Sequence, residues 1–175
     1  KSLFIAERVG KAGRVLASDL DPIRVNLGKK DLERHGHSNI EWSVKDGTKD
    51  DFSPADKILI DVPCTGTGVI GRKPDIRWRR KPEDIKDMAK LQFQILNHVS
   101  QFLNPGGTLV YGTCSLEPEE NWNVVEHFLK LKSGFQLVAG SSRLPNEWMN
   151  EQDCLQTLPH VHGVDGMFAA KLKRK

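Results

Sequence analysis

Apolar positions along the chain change their period several times, and the changes divide it into elements. Between residues 1 and 9, Leu3, Phe4, Ile5 and Val9 fit a short amphipathic helix, and Gly10 and Gly13 bracket its end as C-terminal glycines do. Residues 14–18 read as a buried strand running into Asp19 and Asp21, and Pro22 takes the favoured first position of a helix that lasts to about His35 and stops at Gly36. Residues 39–44 form a second strand pattern, 46–56 a polar, turn-rich stretch, and 57–62 a third strand, mostly apolar and β-branched. A long loop runs from Pro63 to about Pro82, beyond which Ile85, Met88, Leu91, Ile95, Val99 and Phe102 recur at helical spacing. Asn104-Pro105-Gly106-Gly107 predicts a turn, and 108–113 a strand that delivers Cys114 and Ser115 to its C-terminal end. A helix is predicted next, with Pro118, Glu119 and Glu120 in its first turn, where fixed φ and negative charge are both favourable. Residues 135–139 fit a strand, 140–156 read as irregular, and 165–173 carry a last apolar stretch before a basic tail.

Strands alternating with helices predict an α/β fold, because parallel neighbours need crossover connections that helices usually supply. The expectation is a Rossmann-like, doubly wound and mostly parallel sheet with helices on both faces. The chain's 175 residues suffice for one domain and one core. Ligands of such sheets bind beyond the carboxyl ends of the strands, where Asp19, Asp46, Asp61, Cys64 and Cys114 all fall.

Composition narrows this little. The net charge of +3 permits an anionic partner without requiring one. Three widely spaced cysteines make neither a paired disulfide framework nor a zinc-site pattern, so no disulfide partner and no metal are expected. No apolar run approaches the roughly 18 residues needed to cross a bilayer. A soluble, cytoplasmic, monomeric protein is the resulting expectation.

Asp19 ends a strand where nucleotide-binding α/β folds place the acid that accepts from two ribose hydroxyls, while Asp21, just before Pro22, is the better helix cap. Asp46, before Gly47, is a candidate acceptor for an exocyclic adenine amine, with a plain turn aspartate as the bland alternative. Asp61-Val62-Pro63-Cys64-Thr65-Gly66-Thr67-Gly68 is more specific: an acid at a strand end, a stiffening proline, a thiol and two glycines are an unusual set for a structural loop. Cys114, within Tyr111-Gly112-Thr113-Cys114-Ser115, lies near a predicted helix N-terminus, which favours thiolate. The loop 71–81 brings Arg72, Lys73, Arg77, Arg79 and Arg80 together with Trp78, a ring able to stack on a base. His160 and His162 are spaced for a strand face without further ligands, and Cys154 reads as an incidental thiol in an irregular polar stretch.

The stretches KSLFIAE at Lys1, SDLDPIR at Ser18, KDGT at Lys45, LIDVPCTGTGVIGRKPDIRW at Leu59, NPGGTLVYGTCSLEPEEN at Asn104 and DGMFAAKL at Asp165 resemble the bacterial Sun/Fmu (RsmB-type) ribosomal RNA cytosine-C5 methyltransferases. The Pro-Cys and Thr-Cys-Ser pair is the most specific part of the likeness. The resemblance implies S-adenosylmethionine as cofactor and small-subunit ribosomal RNA as partner. It makes Cys114 the nucleophile and Cys64 the residue assisting product release. Asp19, Asp46 and Asp61 would contact cofactor or cytosine, and Lys1 would end the cofactor loop.

Members of that family carry a strand and a Pro-Gly-Gly loop before the lysine matching Lys1, so the expectation is an N-terminally truncated catalytic domain lacking its first strand and glycine loop, and inactive alone. A DNA cytosine-C5 methyltransferase would instead put the nucleophile at Cys64. A transfer RNA substrate, or a non-catalytic RNA-binding domain, is a further alternative; retention of both cysteines argues against the latter.

Overall fold

The computed structural model describes residues 1–140 and 143–175, so Ser141 and Ser142 of the stretch expected to be irregular lie outside the described residues. Where the sequence suggests one domain, contacts group the chain into two compact units, Lys1–Asp51 and Phe52–Lys175.

In the first unit, α1 (Ser2–Val9), β1 (Val15–Asp19), α2 (Pro22–His35) and β2 (Ile40–Val44) follow in order, and β1 pairs parallel with β2 from Val15↔Ile40 to Asp19↔Val44. Asp21 caps α2 as expected, its carboxylate accepting from the Ile23 N–H at 2.8 Å, and Gly36 ends the helix in the left-handed region at φ 68°. A small core of Ala6, Ala17 and Ile40, with Leu3, Val15, Leu32 and Trp42 against it, joins helices to strands. The Asn39 amide donates to the Ala6 and Gly10 carbonyls, both at 2.9 Å, tying the end of α1 to the entry of β2.

The second unit contains β3 (Ala55–Asp61), α3 (Ile76–Arg79), α4 (Pro82–Val99), β4 (Leu103–Thr113), α5 (Trp122–Leu131), β5 (Phe135–Val138), β6 (Leu155–Thr157), α6 (Pro159–His162) and β7 (Met167–Arg174). Its sheet runs β3-β4-β7-β5, with β6 also on β7. The α/β class stands, but the pairing is mixed rather than mostly parallel: β3 runs parallel to β4, whereas β7 is antiparallel to β4, β5 and β6. The last apolar stretch is therefore an inner strand. Phe168, Ala170 and Leu172 alternate into the core with Leu109 and Tyr111 of β4, Leu96 and Val99 of α4, and Val124, Val125 and Phe128 of α5.

Several local expectations shift. Asn104–Gly107, expected as a turn, is absorbed into the start of β4, where the register with β3 slips between Ala55 and Lys57 and Gly106 has φ 76°. The α4 face is rotated so that Gln92 and Leu96 are the fully buried positions. Pro118–Glu120 forms a separate 3-10 turn before α5. Cys154 is not incidental: it is 1% exposed within the core. His162 lies on α6 rather than on a strand. Its Nδ1 accepts the Leu158 N–H at 2.8 Å, so the ring proton sits on Nε2, 2.9 Å from the Glu147 carbonyl. Both nitrogens brace backbone, and none of the described residues forms a cluster of three or more metal-ligating side chains. No described helix is long and apolar enough to cross a membrane.

Candidate active site

The parallel strands β3 and β4 end in register, Asp61 opposite Gly112, so the segments that leave them start side by side. The first bears Cys64 and the second Cys114, and their sulfurs lie 3.2 Å apart, both thiols half-buried. The contact with the Cys114 sulfur, followed by burial, pushes the Cys64 thiol far above its ordinary value. Two sulfurs this close cannot both carry charge at low cost, so the thiols titrate as a pair.

Backbone fixes both segments. Gly66 has φ 77°, a left-handed turn that favours glycine. The Gly68 N–H donates to the Cys114 carbonyl at 2.9 Å, and the Gly68 carbonyl accepts from Gly166 at 2.8 Å. A Cβ on Gly68 would stand 2.2 Å from the Gly166 oxygen, so the approach requires glycine. Asn121 brackets Cys114: its carbonyl accepts from Thr113 Oγ1 at 2.5 Å and its amide donates to the Ser115 carbonyl at 2.9 Å.

Beneath the thiols lies a buried polar network that the sequence reading missed. Glu120, 0% exposed, accepts from the Thr65 N–H at 2.9 Å, from the Thr65 hydroxyl, from the Ser115 hydroxyl at 2.7 Å and from the Gln92 amide at 2.8 Å. Gln92 also donates to the Pro63 carbonyl at 2.9 Å, and Tyr111 donates to the Glu120 carbonyl at 2.6 Å. Burial, then the nearby Glu120 charge, raises the Tyr111 phenol, which stays a donor. A Gln within an apolar helix face was the available signal, since a buried amide needs partners.

The basic loop divides by role. Arg80, though its side chain stays exposed, donates from Nε to the Thr65 carbonyl at 3.0 Å and reaches the Cys64 carbonyl at 3.5 Å, so it braces the Cys64 segment. Arg72 pairs with Asp165. Lys73, Arg77 and Arg79 are exposed, and the Trp78 ring is 87% exposed on α3, where water gives it nothing to pack on.

In the first unit, Asp19 and Asp46 sit at the carboxyl end of β1 and β2, the Lys45 N–H donating to the Asp19 carbonyl at 3.1 Å. The Asp19 carboxylate accepts from the Asp21 N–H at 2.9 Å and lies 3.6 Å from Arg24. With its side chain 32% exposed, it keeps acceptor capacity for a pair of hydroxyls. Asp46 closes its own turn, accepting from the Thr48 hydroxyl at 2.6 Å and the Thr48 N–H at 2.9 Å. Those bonds, the hydroxyl's first, hold its carboxyl below the ordinary value and keep it ionised. Lys1 stands at the N-cap of α1.

Comparison with known proteins places the chain in a family. The family model described as 16S rRNA methyltransferase RsmB/F matches residues 1–173. The whole chain is 35% identical to the probable ribosomal RNA small subunit methyltransferase B of Bacillus subtilis and covers 41% of it. Across 98% of the chain it is 40% identical to ribosomal RNA small subunit methyltransferase B of an Enterobacter species, covering 39% of that protein. The chain thus spans about two fifths of these relatives. The crystal structure of NSun6 from Pyrococcus horikoshii with SFG superposes over 98% of the chain and 44% of its own at TM-score 0.84 and 31% identity.

Proposed function

Because the chain belongs to the 16S rRNA methyltransferase RsmB/F family, we propose that it carries the catalytic residues of a cytoplasmic, monomeric enzyme that methylates C5 of a cytosine in small-subunit ribosomal RNA. The observation that supports this reading is the pair of sulfurs 3.2 Å apart at the ends of two neighbouring parallel strands. Cytosine C5 is too weak a nucleophile to take a methyl group unaided. Addition of the Cys114 thiolate to C6 places the electron pair on C5 through an enamine, and protonation of N3, whose N–H then donates to the Asp61 carboxylate, favours that addition.

S-adenosylmethionine supplies an electrophilic methyl group. The residues of the first unit fit it by their chemistry: Asp19 offers acceptors suited to a ribose diol, and the ionised Asp46 and Lys1 are the other candidate contacts there.

Cys114, once bonded to C6, is an uncharged thioether, so the largest influence raising the Cys64 thiol disappears and only burial remains. Cys64 then releases its proton to solvent and takes the C5 proton, the C5 electrons expel Cys114 as thiolate, and both sulfurs return to their starting states. Outside this centre, Trp78 with Lys73, Arg77 and Arg79 offers the RNA a stacking surface and phosphate contacts.

A denaturing gel of the full-length enzyme with RNA and cofactor tests the assignment. Cys64→Ala is expected to hold RNA covalently through Cys114, and Cys114→Ala to form no adduct and transfer no methyl group. The opposite pattern would make Cys64 the nucleophile, as in the DNA-modifying enzymes.

A further inference from the structure

Glu120 is a fully buried carboxylate satisfied by four uncharged donors. Two of these come from Thr65, which directly follows Cys64, and one from Ser115, which directly follows Cys114. The fourth, Gln92 of α4, anchors the carboxylate to the core and holds the Pro63 carbonyl, on the other side of Cys64. Each segment is thus gripped one bonded residue from its thiol, and both grips end on a single rigid carboxylate. Neither segment is otherwise regular there, since β3 and β4 have ended.

We propose that Glu120 is the positioning residue of the two-thiol site, its carboxylate holding Thr65 and Ser115 so that Cys64 and Cys114 share one support. This rests on the cysteine-adduct reading above. The device is geometric rather than electrostatic. Oε2 accepts from the two N–H groups, which can only donate, and Oε1 from two hydroxyls, which can donate or accept. A glutamine oriented with its carbonyl toward the N–H groups and its amide toward the hydroxyls keeps every partner, whereas alanine removes them all.

The test uses the full-length enzyme in the Cys64→Ala background, following covalent RNA adduct at saturating RNA and cofactor. The amplitude counts competent molecules and the rate constant reports how well Cys114 is placed. Adding Glu120→Ala is expected to lower the rate constant about 100-fold at unchanged amplitude, the cost of a misplacement near 1 Å. Glu120→Gln should stay within about threefold of the parent, since its hydrogen bonds can all be remade. With Cys64 intact, Glu120→Ala should lower kcat and leave KM for RNA unchanged. If Glu120→Ala does not fold, Ser115→Ala removes only the Cys114 grip and should slow the adduct about tenfold. Parental rates in Glu120→Ala, or in Ser115→Ala where that variant stands in, would overturn the proposal; so would Glu120→Gln as slow as Glu120→Ala, which would mean the charge is needed. Absence of adduct in Cys64→Ala itself would instead overturn the cysteine-adduct reading.

Discussion

Gly68→Ala isolates the backbone clamp under the candidate site. The added Cβ would meet the Gly166 carbonyl oxygen at 2.2 Å and the Cys114 carbonyl oxygen at 2.8 Å, both backbone atoms that no rotamer change can move. Relief requires the Gly68 and Gly166 segments to separate, which breaks the Gly166–Gly68 bond of 2.8 Å and strains the Gly68–Cys114 bond of 2.9 Å. Each lost hydrogen bond costs about 1 kcal/mol net, and overpacking adds about 1–3 kcal/mol, so the expected destabilisation is about 2–5 kcal/mol. Gly71→Ala is the matched control: nothing lies within 4 Å of its Cβ, and its effect should stay within about 0.5 kcal/mol. Urea unfolding of the full-length protein, followed by tryptophan fluorescence, compares the two. Amide hydrogen exchange at Gly166 should accelerate only in Gly68→Ala. Indistinguishable midpoints and exchange rates would refute the clamp.

Two further outcomes are expected. Arg79→Ala should lower the salt slope of RNA binding by roughly 0.7–0.9, one phosphate contact's share, whereas Arg80→Ala should leave the slope unchanged and reduce kcat, because its guanidinium holds the Thr65 and Cys64 carbonyls; equal slope changes would return Arg80 to the RNA-facing surface. Burial, then Asp153, pushes the Cys154 thiol up from 9.0 to about 11. A raised acid binds more protons folded than unfolded, so its stabilisation is complete below pH 9 and declines toward pH 11, by on the order of 2 kcal/mol. Cys154→Ala should flatten that stretch of the stability profile, and an unaltered slope would contradict the assignment.

Local chemistry was legible in the sequence wherever a single residue's covalent character sets the outcome. Pro22 and Gly36 bound α2 at both ends, and Asp21 caps it, because ring closure, a missing Cβ and a short carboxylate act within one turn. The acids and thiols at strand ends were likewise readable, since a strand's period and a Pro-Cys-Thr-Gly segment need no distant partner to be recognised. What escaped depends on partners far along the chain. The 167–174 segment carries Lys171, Lys173 and Arg174 among its apolar residues, and only pairing with β4, β5 and β6 makes it an inner strand. Asn104–Gly107 looks like a turn until β3 offers it a bulged partner. Glu120 reads as first-turn negative charge on a helix, and Gln92 as a polar break in an apolar face. Burial reverses both meanings, because a carboxylate and an amide withdrawn from water must find donors and acceptors, and those they find are the residues beside the two cysteines. The sequence alone determined which groups could do the chemistry; the tertiary structure decided that two thiols 50 residues apart stand 3.2 Å from each other above one buried polar network.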